Sequence, residues 1–253
     1  MKKITKKRKI NWNFLISLGV LISLIVSIIY AVVRIILLRT DFVQHLEYAK
    51  SESDYALMLF QCILGIIAMF LPSFLAKRLK IELPNKIYIF YIIFLYCAIY
   101  LGEVRDFYYR IPHWDTILHS FSGAMLGALG FFVVRFLNDS EKVAVKLNPI
   151  FVSMFAFCFA VTMGVIWEIY EFSADNLLGF NMQKTLLENG TPLVGKAAVA
   201  DTMKDLIVDA IGAFVFVIGA NFKSFRLKIS LKKHKNDEII EKIVTENKDS
   251  VTK

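Results

Sequence analysis

Apolar residues fall along this chain in long runs, each near the roughly 20 residues an α-helix needs to cross a bilayer, with short polar stretches between them. Six runs stand out: Phe14–Leu38, Tyr55–Ala76, Lys86–Gly102, Thr116–Phe136, Ile150–Tyr170 and Leu206–Phe222. The pattern predicts an all-α fold, a polytopic transmembrane helix bundle of about six spans. The prolines agree with it. Pro84, Pro112 and Pro149 fall just before the third, fourth and fifth runs, where a missing backbone N–H is harmless, whereas Pro72 lies inside the second and predicts a kink there. The organisation expected is a basic N-terminus at 1–13, two spans with their inner loop at 14–84, a four-helix membrane core at 85–222, and a charged tail at 223–253.

Composition sharpens this picture. Hydrophobic residues make up 57% of the 253 positions and mean hydropathy is +0.55, which excludes an ordinary soluble domain. With six spans, the N-terminus, the second and fourth loops and the tail share one side, and that side collects 22 of the 30 Lys and Arg but only 8 of the 22 acids. Basic loops mark the cytoplasm, so both termini are expected there, in a multi-pass protein of the cell membrane. The net charge of +8 is then a matter of topology. Membrane lipids are expected partners, nucleic acid is not, and protein partners are not named by the sequence.

The first run is too long for the core of a signal peptide and is expected to stay as an anchor. Cys62, Cys97 and Cys158 lie in spans without ligand-spaced neighbours and read as small packing residues. The tail begins FKSFRLKISLKKHK, a stop-transfer flank or, alternatively, a basic amphipathic helix lying on the inner leaflet. Between Asn176 and Lys204 lies the longest connection outside the spans, expected as a partly ordered cap.

Against the apolar background three groups of ionisable residues share one end of three spans: His113, Asp115 and His119; Glu168, Glu171 and Asp175; Asp201, Asp205 and Asp209. At helical spacing Asp115 and His119 share a face, as do Glu168, Glu171 and Asp175, and as do Asp201, Asp205 and Asp209. A charge at the bilayer centre costs about 2.5–3.5 kcal/mol on insertion scales, so such faces are expected to meet each other, water or a ligand. Gly123 and Gly127 continue the His119 face in steps of four, which lets another helix approach closely. Unit charges 4 Å apart repel by roughly 4 kcal/mol at an effective dielectric near 20, so the acids need shared protons, local cations such as Arg105, Arg110 and Lys204, or a bound divalent metal ion. The candidate metal ligands are Asp115, His119, Glu168, Glu171, Asp205 and Asp209, and the candidate catalytic carboxylates are Glu168, Glu171 and Asp209. The competing reading is structural: Asp115 capping the fourth span, Asp201 or Asp205 capping the sixth, Glu168 bridging helices. His113 and Asp201 are expected at the water interface, His45 in a solvated loop and His234 in the tail.

HWDTILHSFSGAMLG, GVIWEIYEFSADNLLGFNMQ and DTMKDLIVDAIGA resemble the motifs of the YjdF-like bacterial inner-membrane proteins, a family of unknown function, over roughly residues 85–222. More distantly, Asp115 with His119, Glu168 with Glu171, and Asp205 with Asp209 are similar in order to the VanZ-like membrane proteins, which tend to have Gln at the position of Glu171 and Asn at that of Asp209. The resemblance implies a helix bundle with one shared polar site and no particular reaction. Together these features lead to an expected enzyme or binding protein for a lipid-linked or cell-envelope substrate, using a divalent ion and a carboxylate base. The alternatives are a proton- or cation-coupled transporter, for which the apolar inner halves of the last three spans offer no through-path, and a non-catalytic assembly protein.

Overall fold

A computed structural model describes residues 12–40, 50–80, 85–138, 147–187 and 190–222. The expectations for Pro84, His45, His234 and the tail lie outside the described residues. The regular structure described is helical: α1 (Trp12–Arg39), α2 (Glu52–Leu79), α3 (Asn85–Leu95) running on as a π-helical stretch (Tyr96–Val104), the short α4 (Phe107–Arg110), α5 (Trp114–Asn138), α6 (Pro149–Leu178) and α7 (Lys196–Phe222). Six of these segments are long and apolar enough to cross a membrane.

The helices outrun the apolar runs. α7 begins at Lys196 rather than Leu206, and α6 reaches Leu178 rather than Tyr170. Hydropathy marks where side chains leave an apolar medium, whereas backbone hydrogen bonding continues through polar residues that are adequate helix formers. Asp201 and Asp205 therefore lie within α7 and do not cap its start. Caps are found elsewhere. Ser51 and Asp54 form a reciprocal capping box on α2, and Asn148 Oδ1 accepts from the amides of Ile150 and Phe151, with Pro149 in the first helical position of α6.

The chain divides into two compact units, one comprising residues up to Leu118 together with Trp167–Asp205, the other His119–Ile166 together with the chain from Leu206 onward. In the first unit α1, α2 and α3 share a core of Val20, Leu24, Ala31, Tyr55, Met58, Cys62, Met69, Ile92 and Leu95. Burying side chains of this size removes about 1.5–3 kcal/mol each of exposure cost in water, but here the alternative medium is lipid, so close packing matters more than burial itself. α2 continues past Pro72, which cannot donate to the carbonyl of Ala68. Tyr91 supplies the missing donor, its hydroxyl reaching Ala68 O at 2.9 Å. Arg34 is held in the same way, donating to the Tyr55 hydroxyl at 2.9 Å and lying over its ring. The three cysteines are free thiols, with Cys62 fully buried in this core and Cys158 exposed.

The connection after α6 is ordered by its own hydrogen bonds. Asp175 accepts from the amides of Met182 at 2.6 Å and Gln183 at 3.0 Å, Asn181 pairs with the backbone of Leu186, and Leu193 N donates to Thr185 O. Its underside, Met182 with Phe180, packs against Leu57, Tyr170 and Ala174.

In the second unit glycine decides the packing of α5 against α7. A Cβ on Gly123 would stand 2.2 Å from Asp209 O, and one on Gly212 would stand 2.2 Å from Ser120 O. No side chain fits at either position, so the two backbones are in direct contact, as the small-residue stripe of α5 leads one to expect. At another point in this unit Asn221 Nδ2 donates to Ser153 Oγ at 2.6 Å, and Ser153 donates in turn to Pro149 O.

Candidate functional site

α5 starts at Trp114, so Asp115 falls in its first turn and His119 follows one turn later on the same unbroken helix. Asp115 is half-buried, whereas His119 at 8% and Asp205 at 4% exposure are buried. Within the first unit a carboxylate oxygen of Asp115 and one of Asp205 lie within 4.8 Å of each other. Donors about 2.1 Å from a tetrahedral ion stand roughly 3.4 Å apart, so the two carboxylates are within reach of a shared cation. An imidazole with two carboxylates is a donor set that divalent transition metals accept.

The other residues singled out in the sequence take different places. Glu168 is buried at 5% exposure on α6 of the first unit. Glu171, one turn further, accepts from Trp167 Nε1 at 2.9 Å. Asp175 is engaged with loop amides, and its role there is structural. His113 is exposed in a left-handed conformation with φ 62°, and Asp201 is half-buried within α7.

In the second unit Asp209 is 2% exposed and fully engaged, its Oδ2 at 3.2 Å from His119 Nδ1 and its Oδ1 accepting from Ser122 Oγ at 2.8 Å. Gly164 makes room for that carboxylate: a Cβ there would stand 2.7 Å from Asp209 Oδ2. The Asp209 carboxylate thus fixes the orientation of the His119 ring through Nδ1.

Three residues of the first unit were not foreseen. Glu103, 6% exposed, sits in the π-helical stretch and bonds Lys184 Nζ at 3.1 Å. Lys184 itself adopts φ 50°, and its ammonium lies 5.2 Å from the centroid of the Tyr108 ring and 5.3 Å from that of Tyr109. Burial works against the charged lysine, but the Glu103 carboxylate and the Tyr109 ring outweigh it and lift its pKa above the ordinary value. Tyr108 packs closely on Gly102, where a Cβ would stand 2.4 Å from a ring carbon. Burial, then Asp115, Glu171, Glu103 and Asp205, drive the Tyr108 phenol well above its usual pKa. Glu103 had a signal in the sequence, a single acid in an otherwise apolar run, and π-helical turns are frequent at functional sites. Lys184 and Tyr108 had none, because only the fold of the loop and the turn of α4 bring them there.

These features define a polytopic α-helical membrane protein with a buried His/Asp cluster. The chain matches the family described as "Predicted membrane protein (DUF2238)" over residues 15–224 and belongs to it. It is similar to an uncharacterized protein of Thermotoga maritima, 31% identical over 148 residues that make up 57% of this chain and 67% of the relative. No solved structure matches the chain.

Proposed function

We propose that this protein binds a divalent cation through Asp115, His119 and Asp205 and uses it on a lipid-linked or cell-envelope substrate. The observation that supports this reading is the approach of the Asp115 and Asp205 carboxylates to within 4.8 Å in the first unit, with His119 one turn after Asp115 on the same helix. In it Asp115, His119 and Asp205 would hold the ion, which would supply Lewis-acid polarisation of a phosphoryl or carbonyl oxygen, while Asp209 orients the His119 ring and Glu168 or Glu171 is the general base. The YjdF-like and VanZ-like resemblances belong to the same proposal and support the shared site rather than a reaction. So does the topology, with both termini cytoplasmic and the loop after α6 outside. A cysteine at Gly190, exposed in the structure, should react with an impermeant reagent in intact cells of a strain carrying an otherwise cysteine-free chain. Protection there would invert the orientation.

Elemental analysis of purified protein tests the site. About one divalent ion per chain is expected in the wild type, with loss in His119→Ala and in Asp205→Asn. Unchanged metal content in both variants would end this reading.

A further inference from the structure

Arg34 carries its charge in an apolar setting. It stands about 7.5 Å short of the end of α1, in the run VVRIILL, and Val33 and Ile36 beside it are exposed on the face that meets lipid. An arginine so placed ordinarily snorkels, extending its stem until the guanidinium reaches water. This one is tied back at the level of the first turn of α2. Its Nε donates to the Tyr55 hydroxyl at 2.9 Å, its guanidinium carbon stands 5.2 Å from the centroid of the Tyr55 ring, and Tyr55 is buried in the core that α1 and α2 share. Tyr55 is neutral, so the charge is held but not compensated. The two acids of that turn are spent elsewhere: Glu52 accepts from Arg39, and Asp54 accepts from the amide and hydroxyl of Ser51. Among the described residues the Tyr55 hydroxyl is the hydrogen-bond acceptor of Arg34, and both terminal nitrogens keep their N–H groups without a protein acceptor.

We infer that Arg34 is a lipid-binding residue, its terminal nitrogens taking the phosphodiester of an anionic phospholipid in the leaflet at which α1 ends. The site shares no residue with the proposed cation site. Headgroup phosphates lie just outside the hydrocarbon core, the level at which Tyr55 holds the guanidinium. The planar fork matches two phosphate oxygens, and because Tyr55 already fixes it, little freedom is lost on binding. Tyr30, one turn earlier on the same face of α1, is exposed and stands edge-on to the Tyr55 ring at 6.0 Å between centroids. An amphipathic ring therefore lies below the fork, where the glycerol and first acyl carbons of the lipid would run. An anionic headgroup is favoured over one carrying an ammonium, because the nearby acids that would meet an ammonium are already paired.

The test uses full-length protein in a neutral detergent, short-chain phosphatidylglycerol and phosphatidylcholine as probes, and native mass spectrometry to read the lipid held by the chain. Wild type is expected to prefer phosphatidylglycerol and to hold it about tenfold more tightly than Arg34→Gln, the scale of one hydrogen bond to a charged group. Arg34→Lys, which keeps the charge without the fork, should bind it several-fold more weakly than wild type, and so should Tyr55→Phe, which frees the guanidinium to swing away. Arg105→Gln, which removes an exposed arginine elsewhere in the first unit, should leave binding unchanged. Inorganic phosphate should not displace the lipid. Equal phosphatidylglycerol binding by wild type and Arg34→Gln would overturn the inference, and if Arg34→Gln does not fold, equal binding by wild type and Arg34→Lys would do so. Equal affinity of wild type for the two lipids, an equal loss in Arg105→Gln, or full displacement by inorganic phosphate would overturn it as well, since the site would then read no headgroup, only net charge, or a free anion.

Discussion

The two units solve the problem of buried polarity in different ways. In the second, Asp209 has both carboxylate oxygens met by side chains, Ser122 and His119, and the glycines at 123, 164 and 212 bring backbone or side chain close enough for this to happen. The arrangement is compact and saturated from within. In the first, polar groups are spread over a π-helical stretch, a short helix and a long loop, and much of their pairing is through that loop: Lys184 to Glu103, Gln183 to Thr202, Asp175 to the amides of Met182 and Gln183. Charge buried by helix packing is rigid, whereas charge buried by a loop depends on the loop remaining in place. The first unit is the one suited to admitting a ligand.

The comparison can be broken most severely at Gly123. Alanine there collides with the backbone of Asp209, and about 3 kcal/mol of stability should be lost, read by thermal unfolding in detergent. Gly19→Ala, where nothing lies within 4 Å, should be neutral or slightly stabilising; equal losses at the two sites would remove backbone contact as the explanation. The next largest effect belongs to the loop. Asp175→Ala leaves two amides without their acceptor and should cost about 2 kcal/mol, appearing as faster hydrogen exchange at Met182 and Gln183 with the second unit unchanged.

A smaller effect, about 1 kcal/mol, is expected for Tyr91→Phe, since it orphans the Ala68 carbonyl in the interior of the first unit. In a Pro72→Ala background, where the helix restores its own donor, the same change should cost less. A double-mutant cycle with no coupling would refute the link between proline and tyrosine.

The smallest effect is one of pH. Because the Lys184 pKa is raised in the folded protein, its stabilising contribution is complete below its ordinary value of 10.5 and is lost as pH rises through the higher folded value. A spin label at Thr191 should therefore gain mobility only in strongly alkaline solution, and Lys184→Met should abolish that transition while loosening the loop at neutral pH. A mobility change at neutral pH in the wild type would contradict the pairing.

Much of this was legible in the chain itself. The length of the apolar runs is a one-dimensional property, and a bilayer reads it as such, so six spans follow from it; Pro149 marked a helix start because a proline there loses no hydrogen bond. The helical spacing of Asp115 and His119, and the small-residue stripe beginning at Gly123, are likewise local facts. Helix ends were less legible, since Lys196 to Asp205 is polar enough to read as a loop yet continues the backbone hydrogen bonding of α7. Only tertiary structure could sort residues of equal promise: Asp205 joins Asp115, Asp209 holds the His119 ring, and Asp175 is spent on loop amides. The reason is physical. Periodicity fixes which residues share a face of one helix, but which faces meet depends on how closely backbones can approach, and so on where a glycine happens to stand opposite another chain segment. Tyr108 and Lys184 carry no periodic signal at all, and their positions follow only from a left-handed turn and the seat left by Gly102.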